Sequence, residues 1–422
     1  MNIKIFKDKT ILTFFTLSIF FSHVQIFNFQ LRFLYLFLFI FMLIDFKKNF
    51  SKINLNYLLY SFIFSILLFI YSIFNLSNFD FLELKKVLNL FLKILIFFLT
   101  INLVTFYKEI LIKNISKMIE IFLYIFFIYI VYSIIIDIKN PREILPHCLN
   151  FFFFSKALYS EVSHFHMMSI PIIFYLISNY KEFFKKKINI LLSVLFFIFT
   201  FKNFSLLLFL GIIGSTIILF LTFKNFNRKT LFLLLFINLI SLVIFLNEKS
   251  CPKNILNEVN NDNAMISTAK DKLLNTGILS KEDKNLSYLV YINSLNVSFQ
   301  SLKDNLFGLG FDNYKYAHLS NRYHNYNPGE SENNMKFRNF NIYDGSFNLS
   351  KLTTEFGLFF IICIIFVIFR SFSNQFTDPE KAFIYTFLFL QTFLRGSGIF
   401  YNGYLIISII LIDQLLVRYN KK

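Results

Sequence analysis

The chain has 422 residues, of which 56% are hydrophobic and 20% aromatic, and it carries a formal net charge of +17. This composition excludes an ordinary soluble domain, because apolar runs long enough to cross ~30 Å of hydrocarbon recur along the whole length. The runs are continuous rather than alternating, which favours membrane helices over the strands of a β-barrel.

These runs predict about twelve membrane-spanning helices and therefore an all-α polytopic membrane protein. The basic N-terminus precedes an apolar run that no small-residue cleavage site closes, so we interpret that run as an uncleaved first helix rather than a signal peptide. The predicted segments lie near 10–27, 32–46, 54–74, 88–106, 118–137, 161–179, 188–201, 204–223, 230–247, 351–370, 381–394 and 399–417.

Lys and Arg are distributed unevenly over the connections between these helices. With the N-terminus inside, the cytoplasmic segments hold more than twice as many Lys and Arg as the short outside loops, and the densest cluster lies at 181–187. This asymmetry predicts that both termini are cytoplasmic. The excess charge then marks the inner face and its anionic lipid heads, so we expect no nucleic-acid partner.

One predicted connection is much longer than the others. It divides the chain into 1–247 with helices 1–9, an outside loop at 248–350, and 351–422 with helices 10–12 and a cytoplasmic tail. The loop carries equal numbers of basic and acidic residues. Its apolar residues recur at helical spacing over 288–307, which predicts an amphipathic helix lying on the membrane or on other helices.

Two cysteines, Cys148 and Cys251, also fall on the predicted outside. The sequence leaves a disulfide between them open, because it does not give the distance between the two residues.

Glu161 is a candidate general base, since it lies at a predicted helix start near the outer interface. The alternative is that its charge only compensates the positive end of the helix dipole. His164 follows three residues later on the same helical face. A third liganding group is not evident, so the sequence predicts no metal site.

Several cations on the predicted outside could face an anionic substrate. Arg395 and Lys202 each occupy a very short turn between two helices, where a charge close to the membrane is costly and usually has a purpose. Snorkelling to the interface or a salt bridge is the alternative for both. In the long loop, Arg322, Arg338 and His324 are further candidates, with solvated loop residues as the alternative.

Four short stretches have a pattern that composition alone does not explain. By itself the Gly308–Gly310 pair predicts only a tight turn, since it lacks the strand and third glycine of a dinucleotide site. The stretches read Tyr159-Ser160-Glu161-Val162-Ser163-His164, Leu306-Phe307-Gly308-Leu309-Gly310-Phe311-Asp312-Asn313-Tyr314, Ser346-Phe347-Asn348-Leu349-Ser350-Lys351-Leu352-Thr353-Thr354-Glu355-Phe356-Gly357, and Arg395-Gly396-Ser397-Gly398-Ile399-Phe400.

In order and position, these stretches resemble the "S-E-P-S", "G-x-G-x-x-x-Y", "E-x-G" and "R-G-x-G-Y-F" segments of bacterial O-antigen and polysaccharide polymerases of the Wzy type. Val162 stands in place of the family's proline and Ile399 in place of its tyrosine. The resemblance implies a GT-C-like, N-in/C-in protein of the bacterial inner membrane with one large periplasmic loop. It also implies a metal-independent glycosyltransferase without a cofactor.

Such an enzyme moves a glycan chain from an undecaprenyl diphosphate carrier to the terminal sugar of a lipid-linked repeat unit, and a chain-length regulator is a candidate partner. The reaction needs a base at the acceptor hydroxyl and cations at the departing diphosphate, for which arginine is well suited. We therefore expect catalytic roles for Glu161, Arg395 and His324. The expected substrate-binding residues are Arg322, Arg338, Lys202, His164, Gly308, Gly310 and Tyr314.

Two other functions stay open at this point. An O-antigen ligase has the same architecture and donor, but its acceptor is a lipid A core. A lipid-linked oligosaccharide flippase or another transporter would also fit about twelve helices. The long outside loop and the lack of visible inverted repeats favour the polymerase over a transporter.

Overall fold

The computed structural model describes residues 3–22, 25–26, 29–30, 55–77, 84–139, 162–223, 227–247, 286–321, 340–371, 376–396, 398–399 and 403–417. These residues are helical almost throughout, which confirms the predicted helical class. The exception is an antiparallel pair of two-residue strands, β1 (Gln25–Ile26) and β2 (Phe29–Gln30). The predicted segment 32–46, Cys148 and Cys251 lie outside the described residues.

Fifteen α-helices lie in the described part of the chain. They are α1 (Ile3–Phe20), α2 (Leu55–Ser77), α3 (Leu84–Lys113), α4 (Ile115–Lys139), α5 (Val162–Ser178), α6 (Tyr180–Phe183), α7 (Lys187–Lys202), α8 (Leu206–Thr222), α9 (Arg228–Asn247), α10 (Leu286–Asp304), α11 (Tyr314–Asn321), α12 (Asn348–Phe356), α13 (Leu358–Ser371), α14 (Asp378–Phe389) and α15 (Tyr404–Val417). A π-helical turn, Leu390–Leu394, follows α14.

Among the described residues, three helices are long and apolar enough to cross a membrane: Leu58–Leu76 within α2, the whole of α3, and α9. Shorter apolar helices occupy Lys9–Phe20, Ser163–Ser178, Leu206–Thr222, Leu358–Phe369 and Tyr404–Leu415. These helices indicate a membrane protein. The count of twelve spans and the orientation stay predictions.

The structure differs from the prediction at 351–370, where one span was expected. Residues 348–356 form the separate polar helix α12, and the apolar helix α13 begins only at Leu358. Gly357 lies between them with φ +58°, a conformation that ends a helix. The polar residues of α12 therefore lie outside the apolar run.

Contacts between residues divide the chain into two compact units. The first comprises the described residues of 1–115, 286–375 and 391–422. Within it, α3 packs against α1, α2 and α15, and the loop helices α11 and α12 pack against α10. A helix is thus present over most of 288–307 as α10. The face that lies on other helices carries Asn293, Ser294, Val297 and Ser301, whereas the apolar Leu295 and Phe299 are exposed, so the predicted amphipathic contact stays a prediction.

The second unit comprises the described residues of 116–285 and 376–390. Its centre is α5, whose residues from His164 to Ile177 are all buried because α7, α8, α9 and α14 surround it. A predominantly apolar helix is expected in such a position. At the start of α14, Thr377 and Glu380 form a capping box that satisfies backbone N–H groups there.

Two ion pairs join α3 to other elements of the first unit. Lys93 binds Asp312, which follows α10, and Lys108 Nζ lies 2.7 Å from Asp413 Oδ2 of α15. The two lysines are fifteen residues apart, which is roughly 22 Å along the helix. The two pairs therefore hold well-separated points of α3 to different parts of the chain.

The Lys108–Asp413 pair yields the first testable prediction. Its side chains are only 23% and 13% exposed, so Lys108→Met leaves a largely buried carboxylate without its cation. We expect a loss of stability of roughly 2 kcal/mol, measured as a lower thermal midpoint of the purified protein in detergent. The double variant Lys108→Met/Asp413→Leu removes both charges and should recover most of the loss. A single variant as stable as the wild type would show that the pair contributes nothing.

Candidate functional site

A turn of residues 308–312, here called the glycine turn, follows α10. Gly308, Gly310 and Asp312 have φ angles of +80°, +84° and +64°. Glycine adopts this conformation readily, whereas aspartate does so only with strain. Asp312 binds Lys93 through its side chain, which offsets part of that strain.

The glycine turn lies directly on the C-terminal end of α12. The Leu309 N–H donates to the Thr354 carbonyl and the Gly310 N–H to the Glu355 carbonyl, both at 2.9 Å. A Cβ on Gly308 would lie 2.5 Å from the Glu355 carbonyl oxygen, and one on Gly357 would lie 2.1 Å from that of Leu306. Only glycine permits this approach of two backbones.

The end of α2 holds the other side of the turn. The Tyr71 hydroxyl donates to the Gly308 carbonyl at 2.7 Å, and the Ser72 hydroxyl accepts the Phe311 N–H at 2.8 Å. The Asn313 amide donates to the Ser72 carbonyl at 3.0 Å. Backbone and side-chain bonds thus fix the turn between α2 and α12.

Small hydroxyl side chains form a buried layer between α10 and α12. The Ser294 and Ser346 hydroxyls lie 3.0 Å apart, and the Ser350 hydroxyl donates to the Ser294 carbonyl at 2.6 Å. Tyr314 is completely buried, with its hydroxyl near those of Ser294 and Ser350. Burial raises the pKa of Tyr314, so the phenol stays neutral.

The segment after the π-helical turn closes over the start of α12. The Gly396 N–H donates to the Ser346 carbonyl at 3.1 Å, and the Gly398 N–H donates to Asn348 Oδ1 at 3.1 Å. A Cβ on Gly396 would lie 2.7 Å from the Asn348 nitrogen. Arg395, which begins this segment, is half-buried and lies at its edge.

A buried ion pair lies at the centre of the cluster. Lys351 Nζ is 3.7 Å from Glu355 Oε1 and 3.8 Å from Asp344 Oδ1, and it donates to the Tyr343 carbonyl at 2.8 Å. Burial raises the pKa of Glu355 to about 7, although Lys351 acts in the opposite direction. Burial alone would lower the pKa of Lys351, but the surrounding carboxylates outweigh it and raise that pKa.

The predicted site residues separate into three groups. Gly308, Gly310, Tyr314 and Arg395 belong to the first unit and to the elements just described. His164 and Lys202 belong to the second unit. Glu161, Arg322, His324 and Arg338 lie outside the described residues.

The two predicted residues of the second unit differ in their surroundings. His164 is buried at the start of α5, whereas Lys202 is exposed at the end of α7. Their neighbour His166 is fully buried, and its Nδ1 lies 2.6 Å from the hydroxyl of Ser205, the N-cap of α8. This histidine therefore anchors the turn between α7 and α8.

The buried pair Lys351–Glu355 was missed as part of the site at the sequence level, although both residues fall in the stretch ending in "E-x-G". A detectable signal was present, since opposite charges four residues apart precede a long apolar run. Their burial could not be read from the sequence.

Among the described residues, no group of three His, Cys, Asp or Glu side chains could hold a metal ion. The predicted metal independence stays a prediction. Comparison with protein families, with curated proteins and with solved structures finds no match to this chain.

The glycine turn yields a prediction with a matched control. An alanine at Gly308 would be strained by the positive φ and its Cβ would clash with the backbone of Glu355. Gly345 also has a positive φ, +63°, but a Cβ there would lie no closer than 3.4 Å to its nearest neighbour, Tyr314. We expect Gly345→Ala to cost about 1–2 kcal/mol from backbone strain alone, and Gly308→Ala to lower the thermal midpoint clearly more. Equal midpoints for the two variants would contradict the close approach at Gly308.

Proposed function

We propose that the chain is a polysaccharide polymerase of the bacterial inner membrane. It transfers a glycan chain from undecaprenyl diphosphate to the terminal sugar of a lipid-linked repeat unit, on the periplasmic face. The large loop and both cytoplasmic termini belong to this proposal, as does the count of about twelve spans.

One observation carries the proposal: three of the four resembling stretches meet in the first unit. Backbone hydrogen bonds join the glycine turn to Thr354 and Glu355, and join Gly396 to Ser346. These stretches are separated by tens of residues in the chain, and nothing in hydropathy requires them to touch. A shared site is the simplest reason for short polar motifs to converge.

The positions of the two ion pairs on α3 support one part of the proposal, namely that the long loop and the C-terminus lie on opposite sides of the membrane. Lys93 binds a residue of the predicted outside loop, whereas Lys108 binds Asp413 near the predicted cytoplasmic end of the chain. With a roughly 22 Å rise between the lysines, the two partners lie toward opposite ends of the helix. An orientation that put the loop and the C-terminus on one side would not agree with this arrangement.

The chemistry assigns one task to each kind of residue. A base, Glu161 in this proposal, takes the proton of the acceptor hydroxyl as its oxygen forms a bond to the anomeric carbon. The bond from that carbon to the diphosphate breaks, and undecaprenyl diphosphate leaves with the electron pair. Arg395, with Arg322 or Arg338, stabilises the charge on the departing diphosphate. His324 binds the sugars or the diphosphate, and His164 and Lys202 stay candidate substrate-binding residues of the second unit.

An O-antigen ligase is the nearest alternative, because it uses the same donor. A lipid-linked oligosaccharide flippase is the alternative from another class. The "S-E-P-S"-like and "R-G-x-G"-like stretches favour the polymerase over the ligase. The long loop and the lack of visible inverted repeats favour it over the flippase.

Deletion of the gene separates the three functions on a lipopolysaccharide gel. Loss of a polymerase leaves lipid A core that carries a single repeat unit. Loss of a ligase leaves bare core, with polymer still on the carrier lipid. Loss of a flippase leaves bare core, with repeat units trapped on the inner side. An unchanged ladder would refute the proposal.

Arg395→Ala tests the diphosphate contact. We expect polymer formation to fall roughly a hundredfold, because a cation facing the leaving group is lost, while the amount of protein in the membrane stays normal. Lys303→Ala is the matched control, since Lys303 is an exposed cation of α10 that lies over the Phe299 ring. Normal polymerisation by Arg395→Ala would remove Arg395 from the site.

A further inference from the structure

The carboxyl of Glu355 is completely buried, and its hydrogen-bonding capacity is poorly satisfied. Within the residues that the structure describes, neither of its oxygens accepts a hydrogen bond of standard geometry. Its nearest cation, Lys351 Nζ, is 3.7 Å away, which is close enough for attraction but too far for a hydrogen bond. A proton on the carboxyl would remove the unsupported charge, because the neutral acid needs far less solvation.

The same residue is bonded to the glycine turn. Its main-chain carbonyl accepts the Gly310 N–H at 2.9 Å, and the preceding carbonyl of Thr354 accepts the Leu309 N–H at 2.9 Å. From the turn, the Asp312 carboxylate raises the pKa of Glu355, and this outweighs the Asp312 N–H, which lowers it. A change of charge on this side chain therefore acts on the turn directly.

Charged and titratable groups face Glu355 from each element packed against it. Lys351 lies on its own helix, Asp312 on the glycine turn, Lys93 on α3 and Tyr314 on α11. Asp344 acts through Lys351. When Glu355 is ionised, three carboxylates face two ammonium groups, and when it is protonated the charges balance.

We propose that Glu355 is a proton-binding site that locks the glycine turn onto α12 when it is protonated and loosens the turn when it is ionised. The ionised form adds an uncompensated negative charge beside the Asp312 carboxylate, which is part of the turn. The neutral form leaves Asp312 paired with Lys93. This inference does not depend on the proposed polymerase activity, because it requires no glycan.

The direction of the pH dependence follows from linkage. The pKa of Glu355 is raised by burial from 4.5 to about 7, so the folded turn favours the protonated carboxyl. Its contribution to docking is complete below about pH 4.5 and is lost as the pH rises through about 7. Linkage with these two values predicts that the docking equilibrium weakens about tenfold between pH 6 and pH 8.

Hydrogen exchange of the full-length protein in lipid nanodiscs tests the proposal. After correction for intrinsic exchange rates, protection of the Leu309 and Gly310 amides should fall about tenfold between pH 6 and pH 8. In Glu355→Gln, a neutral isostere, protection should stay high and independent of pH. Asp304→Asn is the matched control: it removes an exposed carboxylate at the end of α10 and should retain the pH dependence of the wild type.

A second variant keeps the test decisive if Glu355→Gln does not assemble. Lys351→Met removes the cation that favours ionised Glu355, so the loss of protection should move to higher pH. The proposal would be overturned if protection of the Leu309 and Gly310 amides in the wild type, corrected for intrinsic exchange rates, did not change with pH. A wild-type slope in Glu355→Gln, or an unshifted slope in Lys351→Met, would overturn it equally.

Discussion

The backbone contact between the glycine turn and the end of α12 is the constraint on which the first unit depends. Two main chains approach within hydrogen-bond distance at Leu309 and Gly310, and this approach requires that Gly308 and Gly357 carry no side chain. The contact ends α12, starts the apolar helix α13 at Leu358, and directs Asp312 toward α3. A single backbone junction thus connects the polar loop to helices suited to the membrane.

Charges in this unit follow the rule that ions are paired where water is scarce. Lys93, Lys108 and Lys351 each face a carboxylate. The first two pairs retain some exposure, whereas the third is buried and its carboxyl lacks direct hydrogen bonds from the described residues. Two pairs fasten elements together, and the third remains sensitive to a proton because its charges are incompletely satisfied.

Helices could be predicted well from the sequence, because continuous apolar runs leave few other structures possible in lipid. Their ends could not, as 351–370 shows: Lys351 and Glu355 are buried by tertiary contacts, which hydropathy does not record. The turn at Gly308 and Gly310 was predictable from residue type. Its contact with α12 was not, since it joins residues more than forty positions apart.

The length of α3 has a consequence for the lipid around it. At 30 residues the helix is roughly 45 Å long, well beyond the ~30 Å of a bilayer's hydrocarbon, while its two paired lysines are only roughly 22 Å apart. In a bilayer of ordinary thickness, at least one ion pair lies within the hydrocarbon unless the membrane thins around the protein. Hydrophobic mismatch between α3 and the bilayer is therefore expected to act on one of these two ion pairs, so that the acyl-chain length of the lipid bears on how firmly α3 is held to its partners.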